Sequence, residues 1–76
     1  MFAFRWETGA RRYELTLEHD LLGDLVLRRV WAGKANRRGA SKMQVFLHEQ
    51  TALQEVEKVC ARRRAHGYDL VHADYL

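Results

Sequence analysis

Apolar and polar residues alternate over Arg12–His19. Tyr13, Leu15 and Leu17 fall on one side, and Glu14, Thr16 and Glu18 on the other. A period of two is the signature of a half-buried β-strand. Asp20-Leu21-Leu22-Gly23-Asp24 follows, with turn formers at both ends, and predicts a hairpin into a partner strand over Leu25–Gly33. That partner is less regular. Leu25, Leu27, Arg29 and Trp31 share one parity, while Val26, Arg28, Val30 and Ala32 share the other, so either face carries an arginine among apolar residues. A bulge that switches the faces, or a place near the rim of the sheet, would each account for this, and the direction of Trp31 is left open.

Phe2–Glu7 reads as a short first strand ending in the turn Thr8-Gly9-Ala10. Lys34–Ser41 is a loop with Asn36 and Gly39 as turn formers. Lys42–His48 is a further strand in which Met43, Val45 and Leu47 share a parity and Phe46 faces the other way. The period then changes. Ala52, Leu53, Val56, Val59 and Cys60 form one stripe of an α-helix. Thr51 with Gln54 is a capping-box pattern at its start, and Gly67 is a stop. Tyr68–His72 is a last short strand. The order β-β-β-β-α-β predicts an α+β fold over residues 1–76, a small antiparallel sheet of four to five strands with one helix packed on it.

Size and charge refine this picture. A single domain of 76 residues buries roughly 60% of its unfolded surface, so its core is thin. No apolar run reaches the roughly 20 residues of a membrane span, and MFAFRWETGARR lacks the apolar segment of a signal peptide. With a lone cysteine, a cytoplasmic protein is expected, without membrane association. Net charge is +3, unevenly spread. Leu25–His48 holds no Asp or Glu but six basic residues, Arg28, Arg29, Lys34, Arg37, Arg38 and Lys42; the rest of the chain sums to −3. Such a middle third attracts polyanions whatever the net charge. Trp31 lies inside it, where an indole can stack on a sugar or an unpaired base, or can simply close the core. Trp6 is expected to be structural. Arg62-Arg63-Arg64 forms a second cluster at the helix end, where the helix dipole favours cations. If that end lies beside the Lys34–Lys42 loop, the two clusters merge.

Other chemistry is sparse. His19, His48, His66 and His72 lack zinc-site spacing, Cys60 sits on the apolar stripe, and Ser41 has no evident base partner. No phosphate-binding loop or dinucleotide motif occurs. A non-enzymatic protein without cofactor or metal is expected.

The segments RYELTL, DLLGD and LRRVW, followed by a basic glycine-containing loop, a helix rich in Ala, and a closing RRRAHGY, resemble the WGR family as it occurs in small bacterial proteins. The resemblance covers about residues 11–72 and implies a WGR-like fold. It also implies contact with nucleic acid, since in the DNA-repair poly(ADP-ribose) polymerases the family's Trp and Arg touch a DNA terminus. The departure falls on the motif itself: Trp31-Ala32-Gly33-Lys34 stands where the family has Trp-Gly-Arg, so Trp31 matches and Gly33 replaces the arginine. Lys34 would point to the opposite face of a strand. The expected nucleic-acid site is Arg28, Trp31, Lys34, Arg37, Arg38 and Lys42, joined by Arg63 and Arg64, with DNA favoured over RNA. The alternative is a protein-interaction or homo-oligomerisation module, anchored by Leu21 and Leu22 or by a sheet edge.

Overall fold

The computed structural model describes residues 2–35 and 38–75. It contains the strands β1 (Phe2–Glu7), β2 (Arg11–His19), β3 (Leu25–Gly33) and β4 (Gly39–Phe46), the helix α1 (Glu49–Ala65) and the strand β5 (Asp69–Tyr75). The sheet is antiparallel throughout, in the order β4-β3-β2-β1-β5. The helix lies across one face of it and leaves the other open. The core is Trp6 from β1, Tyr13, Leu15 and Leu17 from β2, and Leu25 and Leu27 from β3. Ala52, Val56 and Val59 of the helix close over them. Cys60 packs at the margin of this cluster, and burial pushes its thiol pKa up, so it is a weak nucleophile near neutral pH.

The β2–β3 pairing runs without a slip from Arg11↔Gly33 to His19↔Leu25. There is therefore no bulge in β3. Leu25, Leu27, Arg29 and Trp31 all face the helix, and Arg29 is buried rather than placed at the rim, with 8% of its surface exposed. A buried guanidinium needs partners, and Arg29 has them: its Nη2 donates to Glu55 Oε1 of the helix at 2.7 Å and to Gln44 Oε1 of β4 at 3.0 Å. The sequence-based boundaries move by a residue or two at several ends and by more at the following ones. β4 begins at Gly39, not Lys42, and β5 runs on to Tyr75. The helix begins at Glu49 with His48 as N-cap, so Thr51 lies within the first turn and caps nothing. Phe46, not the Met43–Val45 set, faces the helix. Met43 and Val45 stay on the open face, each 59% exposed.

Turns set the ends of these elements. In the β2–β3 corner the Asp20 carboxylate accepts from the backbone N–H groups of Leu22 and Asp24, and Gly23 takes φ +85°. This leaves Leu21 and Leu22 fully exposed. At the opposite end of the sheet, Gly39 lies against β3 so closely that a Cβ there would overlap the Trp31 carbonyl oxygen.

Candidate nucleic-acid interface

α1 starts from the end of β4 and runs back along the sheet to the end that carries Trp31, Tyr13 and Arg11. It stops there because Gly67 adopts φ +78°. The Gly67 N–H donates to the Arg64 carbonyl and the Tyr68 N–H to the Arg63 carbonyl, the paired bonds of a Schellman ending. That ending fixes Arg63 and Tyr68 together. The guanidinium carbon of Arg63 sits 4.3 Å from the Tyr13 ring centroid and 5.0 Å from that of Tyr68. Arg63 is thus a clamp between helix end and sheet, presented at the helix margin.

Aromatic rings lead across the sheet to this point. Trp6, Tyr13 and Trp31 occupy the same level on β1, β2 and β3, with successive centroids 6.0 Å apart. Trp31 lies nearly parallel to Tyr13, at 11°. It is half-buried, packed against the core on one side and open on the other. Of the two sequence-based options for Trp31, the ring packs on the core, and partial exposure leaves it accessible at the cleft.

Beyond the helix end this geometry leaves a cleft of about 490 Å³, lined by Arg11, Tyr13, Arg29, Trp31, Lys42, Arg63, His66 and Tyr68. Its volume falls in the range of ligand-binding sites, roughly 300–1,000 Å³. Among the described residues that line it, four are cationic, three are aromatic, and none is a carboxylate. Glu55 reaches in only through Arg29. The Nε atoms of Arg29 and Arg63 are shut off from water without a hydrogen-bond partner. A second cleft of about 520 Å³ adjoins the first, lined by Ala10, Arg11, Trp31, Gly33, Arg38, Gly39 and Ala40. The two share Arg11 and Trp31 and together form a trough along the rim of the sheet.

Not all the residues expected in the site come together here. Trp31, Lys42 and Arg63 line the first cleft and Arg38 the second. Arg28 and Lys34 lie on the open face instead. Arg28 faces Glu18 at 3.9 Å, and the Lys34 ammonium is 2.6 Å from Glu7. The single cationic face expected of the central hairpin is thus divided, because strand alternation sends Arg28 and Arg29 to opposite sides. Arg64 borders a separate, mainly apolar cleft with Phe4, Trp6, Cys60, Tyr68 and Leu70. Arg37 lies outside the described residues. The helix end does meet Lys42, through Arg63, so part of each basic cluster shares one surface. Sequence reasoning missed Arg11, Tyr13, Arg29, His66 and Tyr68 as lining residues. One signal for Arg11 was available: it shares the parity of Tyr13 at the end of a regular strand.

No helix among the described residues is long and apolar enough to cross a membrane. Comparison with curated proteins and with solved structures yields no match. A family model, that of the WGR domain, matches residues 4–74. WGR domains are binding modules rather than catalytic ones, commonly for nucleic acid. With nearly its whole length matched, from the first strand to the last, this chain belongs to the WGR domain family.

Proposed function

We propose that this protein is a non-enzymatic, cytoplasmic nucleic-acid-binding module, and that the trough at the helix end grips the phosphate backbone or the end of a DNA duplex. One observation carries the reading: Arg11, Lys42 and Arg63, cations without an ion pair among the described residues, and three aromatic rings share a cleft that no described carboxylate lines. Cations held together by a rigid frame neutralise phosphates jointly, and an indole beside them stacks on sugar or base. In this reading Lys42, Arg63 and Arg11 meet phosphate oxygens, Arg38 extends the contact and Trp31 supplies the stacking surface. Arg28 and Lys34, occupied by carboxylates on the far side, contribute at most to the long-range field. DNA is favoured over RNA by family membership alone.

Tryptophan emission tests this directly. In a Trp6→Phe background, titration with a short blunt-ended DNA duplex at low salt should change the Trp31 signal saturably, and added salt should reverse it. Emission that does not respond, together with no shift in a low-salt gel, would reject the reading.

A second reading, self-association, is favoured by a specific feature of the sheet. The β5 edge carries Asp69, His72 and Asp74 and a register slip at Arg5/Trp6, devices that blunt an edge. The β4 edge pairs regularly with β3, holds a single charge, Lys42, and exposes Met43 and Val45. Sedimentation at several concentrations separates the cases: a mass that rises with concentration supports self-association, and a constant monomer mass rejects it.

A further inference from the structure

Arg11 stands at the junction of the two clefts, and Trp31 is the only other described residue to line both. Its backbone is fixed by the turn before β2: the Thr8 N–H donates to the Arg11 carbonyl, and the Arg11 N–H donates to Thr8 Oγ1. Its side chain is exposed and has no ion-pair or hydrogen-bond partner among the described residues. It contrasts with Arg12, next in sequence, which turns to the open face and lies near Glu14 at 3.8 Å. Directly across the ladder from Arg11 is Gly33. Residues paired in this way project to the same face, with Cβ positions about 4.5–5.5 Å apart. Gly33 has no side chain, and it lines the second cleft together with Arg11. Gly33 also stands where its family's tripeptide has arginine, two residues after Trp31 and on the same face.

We propose that Arg11 supplies, from the neighbouring strand, the cation that position 33 lacks, and that it binds a phosphate group beside the Trp31 indole where the two clefts meet. The inference rests on the nucleic-acid reading above. A guanidinium rooted on β2 reaches the same volume as one rooted on β3 across the ladder, and its planar fork suits a phosphate better than the Lys34 ammonium, which points away. The Gly33 backbone is not in the left-handed region, so a side chain placed there carries no backbone strain of that kind.

The test moves the charge across the strand pair. Binding of a fluorescently labelled blunt-ended DNA duplex is measured by anisotropy for the full chain and for Arg11→Ala, Arg11→Lys, Gly33→Arg and the double variant Arg11→Ala/Gly33→Arg. Thermal midpoints serve as a check on folding. Arg11→Ala should weaken binding about tenfold, the loss of one charge-assisted hydrogen-bonding group, and Arg11→Lys by less. The double variant should recover affinity to within about threefold of the original. If Arg11→Ala binds as well as the original while Trp31→Ala does not, the assignment of Arg11 is overturned and the nucleic-acid reading stands. If Arg11→Ala weakens binding but the double variant does not restore it, the equivalence of the two positions is overturned. If the original chain binds no duplex, both fall.

Discussion

Arg28 and Arg29 are neighbours in sequence and meet opposite surroundings. Arg28 stands on the open face with half of its side chain in water and a carboxylate 3.9 Å away. Arg29 stands under the helix, tied to Glu55 and Gln44, with its remaining edge toward a cleft of cations and rings. The same division runs across the sheet. On the open face Arg5, Arg12, Arg28 and Lys34 each lie within 4 Å of a carboxylate. On the helix side Arg11, Lys42 and Arg63 line the trough with no ion pair among the described residues, and Arg63 is held by rings instead. In the proposed reading an anion is met by the helix-side cations that no carboxylate engages among the described residues, Arg11, Lys42 and Arg63, while Glu55 is taken up by Arg29.

The largest effect that sharpens this contrast is on stability. Arg29→Ala should destabilise the fold by about 3 kcal/mol, because it strands the mostly covered Glu55 carboxylate and Gln44 without their partner. Arg28→Ala should cost under about 0.5 kcal/mol, as exposed pairs generally do. Urea denaturation of the two variants measures the gap. Replacing both partners, Arg29→Met with Glu55→Leu, should recover most of the loss, since an apolar pair removes the stranded charge as well. Equal costs for Arg28→Ala and Arg29→Ala would show that the two faces do not differ in the way described.

Next in size is Trp31→Ala. Loss of the stacking surface should weaken duplex binding by about 1–3 kcal/mol, read by anisotropy. Stability should fall as well, because one side of the ring packs on the core, so the comparison is made well below the melting midpoint.

The smallest effect belongs to the open face. Lys34 beside Glu7 holds that carboxyl below its usual value of 4.5, with its hydrogen bond to Lys34 as the main cause. A group whose folded pKa is lowered contributes stability above its unfolded pKa, and that contribution is lost as pH falls through the folded value. Glu7→Gln should therefore lower the melting midpoint slightly at pH 7 and flatten the acid limb below about pH 4.5 by the same small amount, since both reflect one lost contribution. A large drop at neutral pH would contradict this.

Much of the fold was legible in the chain because its signals are local. The alternation of Tyr13, Leu15 and Leu17, the turn chemistry of Asp20–Asp24 and the stop at Gly67 each depend on a few consecutive residues, and each stands as read. The fate of Arg29 was not legible, because its partner Glu55 lies 26 residues away on another element. Trp31 was undecided for the same reason: only the helix overhead tells the two mixed faces of β3 apart. β4 was open to misreading because its more apolar parity is the exposed one, while Gln44 and Phe46 turn inward. Arg11 was not legible as a site residue because it lies outside the acid-free stretch and comes beside it only through the pairing of β2 with β3. Family membership was legible from the order of short segments, each weak alone, that the matched span then covers.

The central claim, that the anion site is the trough on the helix side and not the outer face of the hairpin, is tested most directly by paired salt titrations. Log affinity for duplex DNA should fall with log salt at a slope of about −3 to −4, from about four neutralised phosphates. Lys42→Gln/Arg63→Gln should make that slope shallower by nearly two units, while Arg28→Gln/Lys34→Gln should leave it in place. The reverse pattern, an unchanged slope for the trough pair and a shallower one for the outer pair, would contradict the account.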